Sequence, residues 1–267
     1  MKLIIWVEGI RKAKNDVCAS LNFFHVCLHL VLFENKQRYI KSILGPFWVT
    51  LSALIMLGCM GPLYSILFHQ PLGVYWRYIS ISYVLWILIS GTIVDSCNTF
   101  IANEGYIKSI KIPFTFYLLK HLLKHLINFL HIAPLPIIVI LFVPIDFNLR
   151  IWFLLLGAML LAVNLIWISL VFSIVSLRYR DFPMIVSSLF QISLFITPIF
   201  WLKESIGNMA YIENYNPLYI LIDIVRSPIL GEVNLITFKY AFFMSLIGPI
   251  FAFFLFSSTR KRIAYWL

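Results

Sequence analysis

Charge is scarce in this chain. Only 12% of its 267 residues are Asp, Glu, Lys or Arg, while 61% are hydrophobic, against roughly a quarter charged in an average soluble domain. A mean hydropathy of +0.93 excludes an ordinary soluble globule, which could not keep that much apolar surface out of water. Cysteine is also rare, and Cys18, Cys27, Cys59 and Cys97 form no C-x-x-C pair, so neither a disulfide framework nor a zinc knuckle is expected. No G-x-x-x-x-G-K-[ST] run occurs, so ATP is not expected to be held here by a phosphate loop. Acidic residues number 11 against 21 basic ones, for a net charge of +10. That excess would point to nucleic acid in a soluble protein, but here the basic residues flank apolar blocks, where anionic lipid and membrane insertion account for them. No nucleic-acid partner is expected. The start has a brief apolar run broken by Glu8 and followed by Arg11, Lys12 and Lys14. It is not read as a secretory signal, and the N-terminus is expected to stay in the cytoplasm.

What the sequence does have is long apolar blocks, at 46–68, 78–100, 118–142, 151–177, 185–201 and 238–258. A block of about 20 residues at 1.5 Å each spans the hydrocarbon layer as a helix. Gly61-Pro62, Pro134, Pro136, Thr197-Pro198 and Gly248-Pro249 fall inside these blocks, where proline removes a donor and is expected to bend or interrupt the helix. Counted loop by loop, 16 Lys and Arg lie on one side and 5 on the other, which places both termini in the cytoplasm. Residues 17–33 are apolar but carry Asn22, His25 and His29 on one stripe, favouring a helix over 17–42 that lies in the cytoplasmic interface over a seventh crossing. The outer segment 202–237 is itself apolar around Asp223 and Arg226, and is read as short helices dipping back toward the membrane. The expected fold is a single all-α integral membrane domain over 1–267. It has six transmembrane helices, an N-terminal interfacial helix and an outer re-entrant region between the fifth and sixth spans.

Residues 102–113 form the inner linker after the second span and include Asn103, Glu104, Tyr106, Ile107, Lys108, Ile110 and Lys111 ahead of Pro113. The pattern is a short amphipathic helix with a proline stop, suited to a partner's groove, or equally a solvated basic loop. His25 and His29 have a metal-compatible spacing but lack a third ligand, and no metal site is expected. His121 and His125, beside Lys120 and Lys124, are read as side chains reaching the headgroups. Asp95 is placed deep in the second span, facing the bundle or water, with no partner that the sequence names.

The inner linker, together with Arg38-Tyr39-Ile40-Lys41-Ser42-Ile43-Leu44-Gly45-Pro46-Phe47-Trp48, resembles the membrane subunit of ABC-2 type polysaccharide exporters, and O-antigen exporter permeases in particular. Arg178-Tyr179-Arg180-Asp181-Phe182-Pro183, Thr197-Pro198-Ile199-Phe200-Trp201 and Asn216-Pro217-Leu218-Tyr219 follow in the family's order. The resemblance implies a permease that pairs with a second copy and with two cytoplasmic ATP-binding subunits, moving lipid-linked polysaccharide across the bacterial inner membrane. ATP and Mg would sit on the partner subunit, and no cofactor on this chain. It further implies ATPase coupling through residues 103–111, with Arg178, Arg180 and Asp181 as a second contact; those three also read as an internal ion pair capping the fifth span. Lys36, Arg38 and Lys41 are candidates for the substrate pyrophosphate or for ordinary interfacial anchoring. Tyr64, Trp86 and Phe195 are the channel-lining candidates among 24 Phe, 13 Tyr and 8 Trp, and Asn216, Pro217, Tyr219, Asp223 and Arg226 the outer gate. Two rival classes fit less well. A membrane-embedded transferase lacks convergent acids and bases, and a passive channel needs neither a docking helix nor a partner ATPase.

Overall fold

The described residues of this computed structural model are 2–142, 150–202 and 215–267, and no strand occurs among them. Helix is what apolar runs of this length require, because lipid offers no partner for a backbone N–H or C=O. The chain forms α1 (Lys2–Asn22), α2 (Phe24–Arg38), α3 (Phe47–Leu67), α4 (Leu72–Ser96) and, after a 3-10 turn at Ile101–Asn103, α5 (Glu104–Ser109). It continues through α6 (Phe114–Ile132), α7 (Pro134–Phe142), α8 (Ile151–Arg178), α9 (Phe182–Ile196), α10 (Pro217–Leu230) and α11 (Leu235–Trp266). Among the described residues, five helices are long and apolar enough to cross a bilayer, with α6 and α7 counted as one; the α1–α2 pair would make a sixth but for a 63° bend.

Helix α4 is the most buried of these spans and packs against α3, α6, α7, α8, α9 and α10, while α8 lies along α11 and α10. Two apolar clusters result. One joins α3, α4, α8 and α10, and the other joins α1, α2, α6 and the far ends of α8 and α11. Gly157 on α8 allows the close crossing with α10, since a Cβ there would lie 2.0 Å from the Ile224 carbonyl oxygen. Asn164, fully buried, ties α8 to α11 by donating to Ala241 O at 3.3 Å, and accepts from Trp167 Nε1 within α8 at 2.9 Å.

Several sequence expectations need correction. The fifth span, read over 185–201, is helical only over Phe182–Ile196. Its 15 residues reach about 22 Å, short of the hydrocarbon thickness. Thr197 precedes Pro198 and is driven to extended geometry, φ −79° and ψ 135°, which ends the helix. The interfacial helix read over 17–42 is two helices and stops at Arg38. The α1–α2 bend follows from two polar anchor points, described below, that both lie on α6. The coupling helix read over 102–113 is a 3-10 turn and six α-helical residues. Gly61-Pro62 does not interrupt α3, nor Gly248-Pro249 α11. Asp95 is not deep in its span, since α4 ends one residue later and the carboxylate is half exposed. The outer segment carries α10, while its residues 203–214 lie outside the described residues.

Candidate functional site

Polar groups gather at the two ends of the bundle. At the end holding α10, Asn216 caps the helix by accepting from Leu218 N at 2.9 Å and Tyr219 N at 3.3 Å, with Pro217 at the first helical position. Gly231 closes the helix at φ 90°. The Asn-Pro pair is thus a start signal in which proline occupies a position whose N–H has no helical partner. Asn216 also donates to Thr197 Oγ1 at 3.0 Å, joining this motif to the irregular stretch after α9.

That stretch, residues 197–202, is buried without being helical, so its carbonyls need side-chain donors. Tyr75 OH donates to Phe200 O, and Tyr78 OH donates to Pro198 O at 2.8 Å and Trp201 O at 3.2 Å. Arg226, only 3% exposed, donates to Pro198 O at 2.7 Å, Tyr78 OH at 2.8 Å, Ser82 Oγ at 3.1 Å and Asp223 Oδ1 at 3.3 Å. Its guanidinium lies over the rings of Tyr78 and Tyr219, at 4.6 Å and 5.3 Å. Asp223 accepts from Thr237 Oγ1 on α11 at 3.0 Å. The outer-gate candidates Asn216, Pro217, Tyr219, Asp223 and Arg226 are therefore one unit, and Tyr219, Asp223 and Arg226 border a cavity of about 370 Å³.

The opposite, basic end holds the docking candidates. Tyr106, Ile110 and Lys111 are exposed, and Glu104 pairs with Lys108 on the surface of α5. Asn103 donates to Thr99 O in the turn after α4 at 2.7 Å and accepts from Lys120 Nζ at 3.2 Å, fixing the segment to α6. Glu104 and Arg180 line one cleft of about 710 Å³ with Trp266, which brings the two coupling candidates together. Arg178 lies over the Trp266 ring at 5.9 Å. Asp181 caps α9 by position but makes no side-chain capping bond, and no ion pair joins it to Arg178 or Arg180 among the described residues. The proposed internal ion pair is thus not formed.

Of the pyrophosphate candidates, Arg38 lines a second basic-end cleft, while exposed Lys36 and Lys41 do not. The channel candidates separate as well. Tyr64 stacks on Phe68 and Phe200 at 5.8 Å, Trp86 is buried against Phe190 at 5.8 Å, and Phe195 is exposed on α9. His121 and His125 do not reach outward as expected; both are buried, with His121 Nε2 2.9 Å from Thr92 O. His125 Nε2 lies 3.3 Å and Lys124 Nζ 3.4 Å from Asp95 Oδ2, which supplies the partners missing from the sequence reading.

Sequence reasoning missed Asp16 altogether. Its carboxylate is buried, accepts from Arg260 Nε at 2.8 Å and Nη2 at 2.7 Å, and takes Thr115 N at 3.0 Å and Thr115 Oγ1 at 2.9 Å on its other oxygen. An anion at the first turn of α6 also meets the positive end of that helix. Glu34 pairs with Lys120 at 2.7 Å. These two contacts fasten α1 and α2 to α6 and account for the bend between them.

Residues 25–230 match the family described as ABC-2 type transporter. The chain belongs to that family. An O-antigen export system permease protein RfbA from Klebsiella pneumoniae is 23% identical over 241 residues, covering 88% of this chain and 93% of the relative. A second protein of the same description and organism is 25% identical over 198 residues, covering 71% and 75%. This ABC-2 chain is accordingly a multi-pass membrane transport subunit similar to O-antigen export permeases.

Proposed function

We propose that this chain is the permease of an ATP-driven exporter of lipid-linked polysaccharide, working as a homodimer with two ATP-binding subunits beneath it. Six crossings with both termini cytoplasmic would put the basic end on the ATPase side, in keeping with the charge asymmetry of the sequence. The observation that carries the reading is the convergence of Glu104 on α5 and Arg180 before α9 on one open cleft. A partner seated there would touch both the end of α4 and the start of α9. ATP and Mg belong to that partner, and this chain is read as non-enzymatic. Lys36, Arg38 and Lys41 would meet the diphosphate of the cargo, and Tyr64, Trp86 and Phe195 its sugar path. The O-antigen relatives favour that glycan class over capsule or teichoic acid.

The test is affinity purification of the tagged chain from its native membrane in mild detergent. A phosphate-loop ATPase should co-elute with the wild type and be lost when Lys108 and Lys111 are both changed to Glu, since both are exposed and Lys108 makes only a surface pair with Glu104 within α5. Wild-type protein that elutes with no ATPase would overturn the reading.

A further inference from the structure

The second basic-end cleft, of about 480 Å³, lies where α2, the segment leading into α5, and α6 meet. Its walls bring together Arg38, Lys120 and Lys124 with Asn103, Thr99 and Tyr117. Thr99 is 5% and Tyr117 2% exposed, and neither the Thr99 Oγ1 nor the Tyr117 hydroxyl has a hydrogen-bond partner. Buried hydroxyls in native proteins are almost always bonded, so two such donors on one cleft point to an acceptor that arrives from outside. The acids of the cleft do not fill that role. Glu34 is engaged by Lys120 and Asp95 by Lys124 and His125, whereas exposed Arg38 makes no ion pair among the described residues. Three cations against two carboxylates leave the cleft one positive charge in excess, carried by Arg38, and this with two hydroxyl donors suits an anionic group with several strongly accepting oxygens, which is the chemistry of phosphate. The bordering helices present Leu32, Phe33, Leu126 and Leu130 outward, an apolar setting that favours a phosphate carried on a lipid over a free one.

We propose that this cleft binds the phosphate ester of a membrane lipid, with Lys120, Lys124 and Arg38 supplying charge and Thr99 and Tyr117 supplying hydroxyl donors. Lys120 has a further part in it. The same ammonium holds Glu34 of α2 and Asn103 at the start of the α5 segment. A phosphate that draws Lys120 toward itself competes with both contacts and so reaches α2 and the docking segment through one side chain. The site deepens the exporter reading by giving the cargo's carrier, or an anionic phospholipid in its place, a defined contact.

The experiment uses the full chain in phosphatidylcholine nanodiscs, titrated calorimetrically with farnesyl diphosphate, short-chain phosphatidylglycerol and inorganic pyrophosphate. The Thr99→Val, Tyr117→Phe double variant removes only hydroxyls that bind nothing in the protein, so its fold should be intact and its melting temperature unchanged. Lipid-phosphate binding in that variant should weaken about tenfold, and further in Lys120→Gln. Tighter binding of the diphosphate assigns the site to the carrier lipid, and tighter binding of phosphatidylglycerol assigns it to the bilayer. Inorganic pyrophosphate binding as tightly as either lipid, or affinity unaltered by the double variant, overturns the proposal. Because no ATPase enters this measurement, co-elution of the ATPase together with absent lipid binding would discard the site and leave the exporter reading standing.

Discussion

Arg260 places two nitrogens on a single carboxylate oxygen of Asp16, 244 residues earlier in the chain, while Thr115 occupies the other oxygen. One carboxylate thereby joins α1, α6 and α11. A buried charge that loses its partner costs several kcal/mol, because its desolvation is no longer offset. Asp16→Ala should lower stability by about 3 kcal/mol in a detergent unfolding titration. Arg260→Lys keeps the charge but loses the planar two-nitrogen fit, and should cost about half as much. An Arg260→Lys protein as stable as the wild type would show that fork geometry is irrelevant.

Arg226 and Asp223 make a second test. Arg226→Met takes one of two side-chain donors from the Pro198 carbonyl and leaves the buried Asp223 carboxylate without its cation, and should destabilise by about 3 to 5 kcal/mol. Pairing it with Asp223→Asn removes the unmatched charge and should recover part of that loss. The double-mutant cycle, read from thermal unfolding of all four proteins, should therefore give a coupling well above 1 kcal/mol; simple additivity would mean the two side chains act independently.

Two glycines distinguish backbone from side-chain crowding. A Cβ at Gly157 would meet the Ile224 carbonyl at 2.0 Å, and one at Gly61 would meet Trp76 Nε1 at 1.8 Å. Backbone cannot rotate away, whereas an indole can. Gly157→Ala should cost about 2 to 3 kcal/mol and Gly61→Ala clearly less. Melting temperatures in one detergent decide the order.

Tyr106 is 57% exposed on α5 and packs on none of the buried clusters. Tyr106→Ala should leave the melting temperature within about a degree while reducing the amount of ATPase that co-purifies. A drop in stability instead would show that α5 is part of the folded core.

How far the sequence discloses this architecture depends on whether the signal is local. The starts of α3 and α8 follow from hydropathy, and the Asn216-Pro217 start of α10 from capping chemistry, all within a few residues. The end of α9 was missed because hydropathy continues through Ile199, Phe200 and Trp201 as if the helix did. Burial and helicity look alike in an apolar run, and the donors that permit the coil, Tyr75, Tyr78 and Arg226, are remote in sequence. Arg226 and Asp223 were visible because charge stands out in an apolar loop. Asp16 was not, because an acidic residue in a polar N-terminal segment looks solvated until α6 and α11 are laid beside it. Asp95 was misplaced for a related reason: Cys97 and Phe100 carry the block read over 78–100 past the end of α4 at Ser96, so a carboxylate near the helix end was read as lying deeper in the span.

The coil from Thr197 to Leu202 is gripped by its carbonyl oxygens, which every amino acid possesses. Its carbonyl hydrogen bonding is therefore indifferent to which apolar side chains stand at 199 and 200, provided they fill the same volume, while Trp201 adds an indole donor to Phe195 O at 3.0 Å. The information that shapes this turn resides in the residues that hold it. Drift within the coil should be tolerated, while Tyr75, Tyr78 and Arg226 stay fixed, so the least variable positions of this structural unit lie outside the segment it shapes.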